Sequence, residues 1–309
     1  MKIVNKFTGM FRGSIVALIT PFTEQGQIDY SALAQLIDWH IAQGSQGLVI
    51  AGTTGESATL SDNEKIELAR FSAKQSAKHS AGRIQVLVGN GSNATAHAVE
   101  LTKQLNDTGI DGYLTVTPYY NKPTEQGLLA HYSAINAASE LPILLYNVPS
   151  RTSCDLSPKL VSLLAELSHV CGIKDASGEL SRIDEHRQLC PENFALLSGD
   201  DESGTEFCKL GGDGVISVTA NVMPKAMAQI QQLIEQEKFQ QAELIDQQLA
   251  KLHKNLFVES NPIPVKWAMS AINRLPSAHM RLPLCQLTPA GQAVMSATLT
   301  DLTQHFQEI

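Results

Sequence analysis

A lysine stands where a buried strand would ordinarily carry another aliphatic residue: the apolar run Val170-Cys171-Gly172-Ile173 ends in Lys174. One strand earlier, Ile143-Leu144-Leu145 ends in Tyr146. A lysine amine withdrawn from bulk water is easier to hold neutral, and a neutral amine can attack a ketone to form a Schiff base. Lys174 can also be read as half of an ordinary ion pair with Asp175 or Glu179. Taken alone, the run does not separate the two readings, so the other strand ends must.

Three further segments place polar groups just after an apolar run. In Gly52-Thr53-Thr54-Gly55-Glu56-Ser57 the turn leads into a helix, so its backbone N–H groups can cradle a small carboxylate. Thr117-Pro118-Tyr119-Tyr120 brings two phenols, and Tyr146-Asn147-Val148-Pro149-Ser150-Arg151 brings a guanidinium able to clamp a second carboxylate through two hydrogen bonds. Singly, these are turn hydroxyls, rim aromatics and a solvated arginine. Their convergence on one set of strand ends favours a site. Asn90-Gly91-Ser92-Asn93 reads as a turn, and the dispersed histidines carry no expected catalytic role. H-E-x-x-H, G-x-S-x-G and zinc-type Cys/His spacings are absent.

The elements that must position these groups alternate. Short apolar runs bounded by Gly, Pro, Asn or Asp predict strands at Gly13–Pro21, Gly47–Gly52, Ile84–Gly89, Gly112–Thr117, Pro142–Tyr146, Val170–Lys174, Ala195–Ser198 and Gly214–Val218. Helical patterns separate them, among them Tyr30–Gln43 and a helix opened by the capping box Ser61-Asp62-Asn63-Glu64. Eight such units are best satisfied by a closed α/β barrel, the (β/α)8 TIM barrel, whose strand C-termini carry the chemistry. A doubly wound open sheet would need a phosphate-binding turn after the first strand, and Thr20-Pro21-Phe22-Thr23 is not one. Gly211-Gly212-Asp213-Gly214 precedes a strand, at the wrong rim for a phosphate cradle. From about Lys238 only helices are expected, over residues 239–256, 264–272 and 289–307. The predicted organisation is an N-terminal extension (1–12), a barrel (13–237) and a C-terminal helical domain (238–309).

The chain has 309 residues, 43% hydrophobic and 17% charged, with a formal net charge of −8. That composition suits a globular protein and argues against a nucleic-acid partner, which would need a basic face. No apolar stretch approaches a membrane span, and residues 1–13 show no signal-like apolar run. Five cysteines without a C-x-x-C pair read as free thiols in a reducing cytoplasm.

Together, Gly52-Thr53-Thr54-Gly55-Glu56, Tyr146-Asn147-Val148-Pro149-Ser150-Arg151-Thr152 and Gly172-Ile173-Lys174 resemble the dihydrodipicolinate synthase family of pyruvate-dependent class I aldolase-type lyases. Leu197-Ser198-Gly199-Asp200-Asp201, Gly214-Val215-Ile216-Ser217-Val218 and Asn261-Pro262-Ile263-Pro264-Val265-Lys266 extend the likeness over nearly the whole chain. The resemblance implies that Lys174 forms a Schiff base with pyruvate and that Tyr146 shuttles protons. It implies that Thr53 links Tyr146 to Tyr120 of a neighbouring subunit and that Thr53 and Thr54 hold the pyruvate carboxylate. Arg151 would hold the carboxylate of aspartate semialdehyde, and Gly199 and Ile216 would shape the pyruvate pocket through backbone groups. No metal or organic cofactor would be needed, because the lysine itself is the electron sink. The enzyme would work as a homotetramer, a dimer of dimers, on the path to diaminopimelate and lysine.

Two departures bear on these expectations. Ser153 replaces a glycine usual after the Arg-Thr pair. Ser57, Ala58, Asn93 and Tyr119 match a pocket that binds inhibitory lysine in relatives, but His97 stands in place of a glutamate and Lys65 in place of a histidine. A cationic Lys65 and no carboxylate at position 97 disfavour a cationic ligand, so weak or absent lysine inhibition is expected. The alternatives are a related lyase acting on a sugar acid or hydroxy-oxo acid, where Arg151 would be out of place, and a non-catalytic relative, which would normally lack Lys174 or Tyr146.

Overall fold

The computed structural model describes Phe7, residues 10–78 and residues 84–306. Eight parallel strands close into a barrel in sequence order. They are β1 (Gly13–Ala17), β2 (Gly47–Ile50), β3 (Gln85–Gly89), β4 (Gly112–Val116), β5 (Ile143–Asn147), β6 (Val170–Asp175), β7 (Ala195–Ser198) and β8 (Gly214–Ser217). Alternation of side chains sends Ile15, Val49, Leu87, Leu114, Leu144, Cys171, Leu197 and Ile216 into the barrel interior, closed off by Phe11. Their neighbours Val16, Leu48, Val86, Leu145, Ile173 and Leu196 pack outward against the helices. Both faces are therefore apolar, which is why each strand reads as an unbroken apolar run.

The intervening helices are α1 (Tyr30–Ala42), α2 (Asp62–Ser76), α3 (Thr95–Leu105), α4 (Glu125–Ala138), α5 (Pro149–Thr152), α6 (Pro158–Leu164), α7 (Arg182–Leu189), α8 (Gly204–Lys209) and α9 (Pro224–Glu235). The capping box of α2 forms in both directions between Ser61 and Glu64. The single turn α5 is started by Pro149, whose φ is fixed for a first helical turn. Its end at Ser153 lies in the left-handed region, φ 55°, where glycine would be free of strain. Strand β6 runs one residue further than expected because Gly199 N–H donates to the Asp175 carbonyl at 2.7 Å. Strand β1 ends earlier, at Ala17, where the side chain of Asn221 takes over pairing with the backbone of Ala17 and Ile19.

Three helices follow the barrel: α10 (Phe239–Asn255), α11 (Ile263–Ala271) and α12 (Pro289–His305). Their buried Leu249, Leu252, Val265, Met269, Met295 and Leu302 join one apolar cluster with the outer layer of the barrel. Among the described residues no helix is long and apolar enough to cross a membrane. All five cysteines are free, and all but Cys285 are buried.

Candidate active site

Register brings the two residues singled out at strand ends together. Strands β5 and β6 pair Tyr146 with Lys174. Both side chains are buried, and Lys174 Nζ lies 4.3 Å from the centre of the Tyr146 ring. The ion-pair reading of Lys174 does not hold: Glu179 pairs with Arg182 at 2.9 Å, and Asp175 turns away to accept from Ser177 N–H at 2.7 Å. Among the described residues Lys174 has no carboxylate partner. The residues that follow the pair point outward and brace it. Asn147 donates to Asp155 at 2.8 Å and accepts from Leu156 N–H at 3.0 Å, while Asp155 is held by Arg182 at 2.8 Å.

The path of Lys174 depends on Gly199. A Cβ at that position would lie 2.8 Å from Lys174 Cε and 2.7 Å from Ala176 Cβ. Only glycine leaves the lysine stem its present course, a contact-level reason for the residue that follows β7. The Ile216 side chain packs in the barrel interior, and Val218, two residues on, lines the cavity.

The Thr53–Glu56 turn closes with Glu56 N–H donating to the Thr53 carbonyl at 3.1 Å. Gly55 is clamped, its hypothetical Cβ only 3.0 Å from Ala51 N and 3.1 Å from the Leu18 carbonyl. Thr20 Oγ1 fixes the Gly55 carbonyl at 2.7 Å. Thr54 is buried and accepts from Asn261 Nδ2 at 3.0 Å. Thr53 is half-buried, and among the described residues its hydroxyl makes no hydrogen bond. A mouth cavity of about 200 Å³ is lined by Thr53, Thr54, Tyr146, Arg151, Lys174 and Gly199, with Asn261 from the turn between α10 and α11. Arg151 is exposed at its edge, with one long contact to the Asn261 carbonyl at 3.5 Å. Tyr120 is not part of this cavity: it is 89% exposed, with φ 77°.

Sequence reasoning missed Asn261, whose buried Oδ1 has no hydrogen-bond partner among the described residues. It also missed Asp201, whose carboxylate accepts from the N–H groups of Val218 and Thr219 at 2.8 and 2.9 Å and so fixes the end of β8. A third omission is the buried pair of Lys266 Nζ and Glu56 Oε1 at 2.6 Å. The signal for the first and third was present as Asn261-Pro262-Ile263-Pro264-Val265-Lys266, but nothing local says that it reaches the barrel mouth.

A second cavity, about 670 Å³, shares Thr53, Tyr146, Arg151 and Asn261 with the first and extends to Ser57, Ala58, Asp62, Lys65, His97 and Tyr119. Asn93 does not line it; its carbonyl accepts from Asn121 at 2.8 Å. His97 bridges Asp62 Oδ2 at 2.7 Å and Ser92 Oγ at 3.0 Å. Lys65 is buried; desolvation lowers its ammonium pKa and nearby Asp62 opposes that shift. Among the described residues no group of three or more His, Cys, Asp or Glu is placed to hold a metal ion.

A model of the Dihydrodipicolinate synthetase family matches residues 10–302. The chain is similar in structure to the 4-hydroxy-tetrahydrodipicolinate synthase of Methylacidiphilum fumariolicum SolV, with 40% identity, TM-score 0.91 and coverage of 95% of this chain and 96% of that one. It is likewise similar to the chloride-inhibited dihydrodipicolinate synthase of Acinetobacter baumannii complexed with pyruvate, with 43% identity, TM-score 0.90 and coverage of 94% and 99%. A third similar structure is the DHDPS of Cyanidioschyzon merolae with lysine bound, at 35% identity, TM-score 0.90 and coverage of 95% and 98%.

Proposed function

The chain belongs to the dihydrodipicolinate synthetase family of Schiff-base-forming lyases, and from that premise we propose that it is a 4-hydroxy-tetrahydrodipicolinate synthase, condensing pyruvate with aspartate 4-semialdehyde. The observation that carries the reading is a buried Lys174 amine with no carboxylate partner, set over its register neighbour Tyr146 beside a carboxylate-sized turn. In the neutral form the amine attacks the pyruvate carbonyl carbon. The carbinolamine loses water, and Tyr146 relays the protons that leave nitrogen and reach oxygen. Loss of a proton from the pyruvate methyl gives an enamine, whose carbon attacks the semialdehyde aldehyde. The semialdehyde amine then adds to the imine carbon, and the ring closes as Lys174 departs. The iminium itself is the electron sink, so the cycle calls for no cofactor.

The Thr53–Thr54 turn binds the pyruvate carboxylate and Arg151 the second carboxylate. The exposed Tyr120 is assigned to the active site of a neighbouring subunit in a homotetramer built from two dimers, completing the relay through Thr53. The assigned place is the cytoplasm, and the product feeds diaminopimelate and lysine synthesis. Because the second cavity carries Lys65, lacks a carboxylate at position 97 and has its Asp62 carboxylate taken up by His97, the enzyme is expected to keep its activity when free lysine is added; steep inhibition in a lysine titration would refute this.

Borohydride reduction in the presence of pyruvate, followed by peptide mass spectrometry, tests the reading. The expected result is a pyruvate-sized adduct on Lys174 that aspartate semialdehyde discharges. An adduct that the semialdehyde cannot discharge would move the function to another acceptor, such as a sugar acid. No adduct would end the Schiff-base reading.

A further inference from the structure

The turn that faces the substrate carboxylate is not held by the barrel alone. Glu56, its last residue, adopts φ 57°, a left-handed conformation that a non-glycine residue keeps only when its surroundings impose it. Its carboxylate supplies the restraint. Lys266 Nζ donates to Oε1 at 2.6 Å, and the backbone N–H of Arg281 donates to Oε2 at 3.1 Å. Lys266 is itself fixed by the His279 carbonyl at 2.7 Å and by the face of Phe22, 4.3 Å to the ring centre. Both side chains of the pair are fully buried.

The same short segment reaches the turn twice. Asn261, just before α11, holds Thr54 Oγ1 at 3.0 Å, and Lys266, on the first turns of α11, holds Glu56. A displacement of α11 would therefore be transmitted to both ends of Thr54-Gly55-Glu56, within a turn whose Gly55 has no room to yield. A fully buried ion pair is a poor source of stability, since desolvation consumes most of its attraction, but it tolerates little change in geometry.

We infer that Lys266 and Glu56 are positioning residues for substrate: their buried pair ties the carboxylate-binding turn to α11, so that the C-terminal helices set the affinity of the barrel mouth for the keto acid. The inference rests on the functional reading above. Neither residue touches the reacting atoms, so their loss weakens binding in the ground and transition states alike. It therefore appears in the half-saturating pyruvate concentration rather than in turnover at saturation.

The test is the double variant Glu56→Gln/Lys266→Met, which removes both charges while conserving volume. It is compared with the parent by thermal unfolding, by the pyruvate dependence of borohydride trapping, by steady-state turnover, and by hydrogen exchange of the peptide spanning residues 50–60. The expected result is a folded protein whose half-saturating pyruvate rises roughly tenfold or more while saturated turnover changes less than about threefold. Exchange in the 50–60 peptide rises with it. Parental half-saturation and parental exchange in a folded double variant would overturn the proposal. Should the parent itself fail to trap pyruvate, the functional reading falls, while the exchange comparison still decides whether the pair holds the turn. If the double variant does not fold, Glu56→Asp retains both charges and withdraws the carboxylate from α11. A smaller rise in half-saturating pyruvate is then expected, and parental behaviour would again refute the role.

Discussion

Two buried lysines, Lys174 at the barrel mouth and Lys266 at the joint with the C-terminal helices, show how one residue type is put to opposite uses. Lys266 has a carboxylate at 2.6 Å, a carbonyl at 2.7 Å and an aromatic face. Lys174 has an aromatic face and no carboxylate. Burial pulls the Lys266 ammonium down to about 8 even though Glu56 pulls the other way. Full satisfaction makes Lys266 a fastener. Lys174 is left with its amine free to react, braced through its backbone and through Gly199 instead of through its head group.

The comparison is broken most directly at Lys174. Lys174→Arg keeps the charge, but a guanidinium is not deprotonated at any usable pH and cannot form the imine. Turnover is expected to fall by roughly three orders of magnitude or more, with the borohydride adduct gone. The melting temperature should stay close to that of the parent, because no ion pair is broken. At the other lysine the pattern inverts. Lys266→Met strands a buried Glu56 carboxylate and should cost about 3–5 kcal/mol of stability, measured as a shift in the urea midpoint. Glu56→Gln on top removes the stranded charge and should recover part of that loss, since a buried amide is less costly than a buried unpaired carboxylate. Equal destabilisation by the two lysine substitutions would erase the distinction.

The two regions also differ in how far the sequence betrayed them. Lys174 was conspicuous because it interrupts a run, Val170 to Ile173, that otherwise buries on both faces, and strand order then forced Tyr146 beside it. The barrel was legible for the same reason: unbroken apolar runs at regular spacing have few other solutions. Lys266 interrupts nothing. A lysine within a helix such as Ile263–Ala271 reads as a solvated residue, and its partner lies 210 positions away. Asn261 was equally silent, since its contact with Thr54 spans 207 positions. Periodicity reports which face is buried, but pairing between buried polar groups is settled by tertiary geometry. The end of β8 shows the limit in another way: the Ile216 side chain packs in the barrel interior, while Val218, just past the strand, reaches the cavity wall.

A subtler blow to the mouth tests whether the freedom of Lys174 is geometric. Gly199→Ala leaves every functional group in place but sets a methyl 2.8 Å from Lys174 Cε. The lysine must shift by a fraction of an ångström, and misplacement of a nucleophile on that scale costs up to about a hundredfold in rate. Imine formation is expected to slow by roughly ten- to a hundredfold, with a stability loss of about 1–3 kcal/mol from the crowded contact. The half-saturating concentration of pyruvate should change little, in contrast to the Glu56 and Lys266 variants. Parental trapping rates in Gly199→Ala would mean that the course of the lysine stem is not what the glycine protects.

The smallest effect sharpens the comparison at the outer edge of the joint. Arg281, whose backbone N–H serves Glu56, sends its guanidinium to Glu64. That contact, chiefly the hydrogen bond from Arg281, holds the Glu64 carboxyl down at about 2, below its ordinary 4.5. A depressed carboxylate contributes stability that is fully present above the unfolded value and is lost as pH falls through the folded one, here between about 4.5 and about 2. Both side chains keep some contact with water, so screening reduces the contribution to about 1–2 kcal/mol. Glu64→Gln isolates the charge, because glutamine can still complete the capping box with Ser61. It should lower stability at neutral pH by that amount and flatten the decline of the unfolding midpoint on acidification within the window, while leaving half-saturating pyruvate unchanged. If Glu64→Gln raised half-saturating pyruvate as the Glu56 and Lys266 variants do, control of the turn would extend outward through Arg281, and the buried pair alone would no longer account for it.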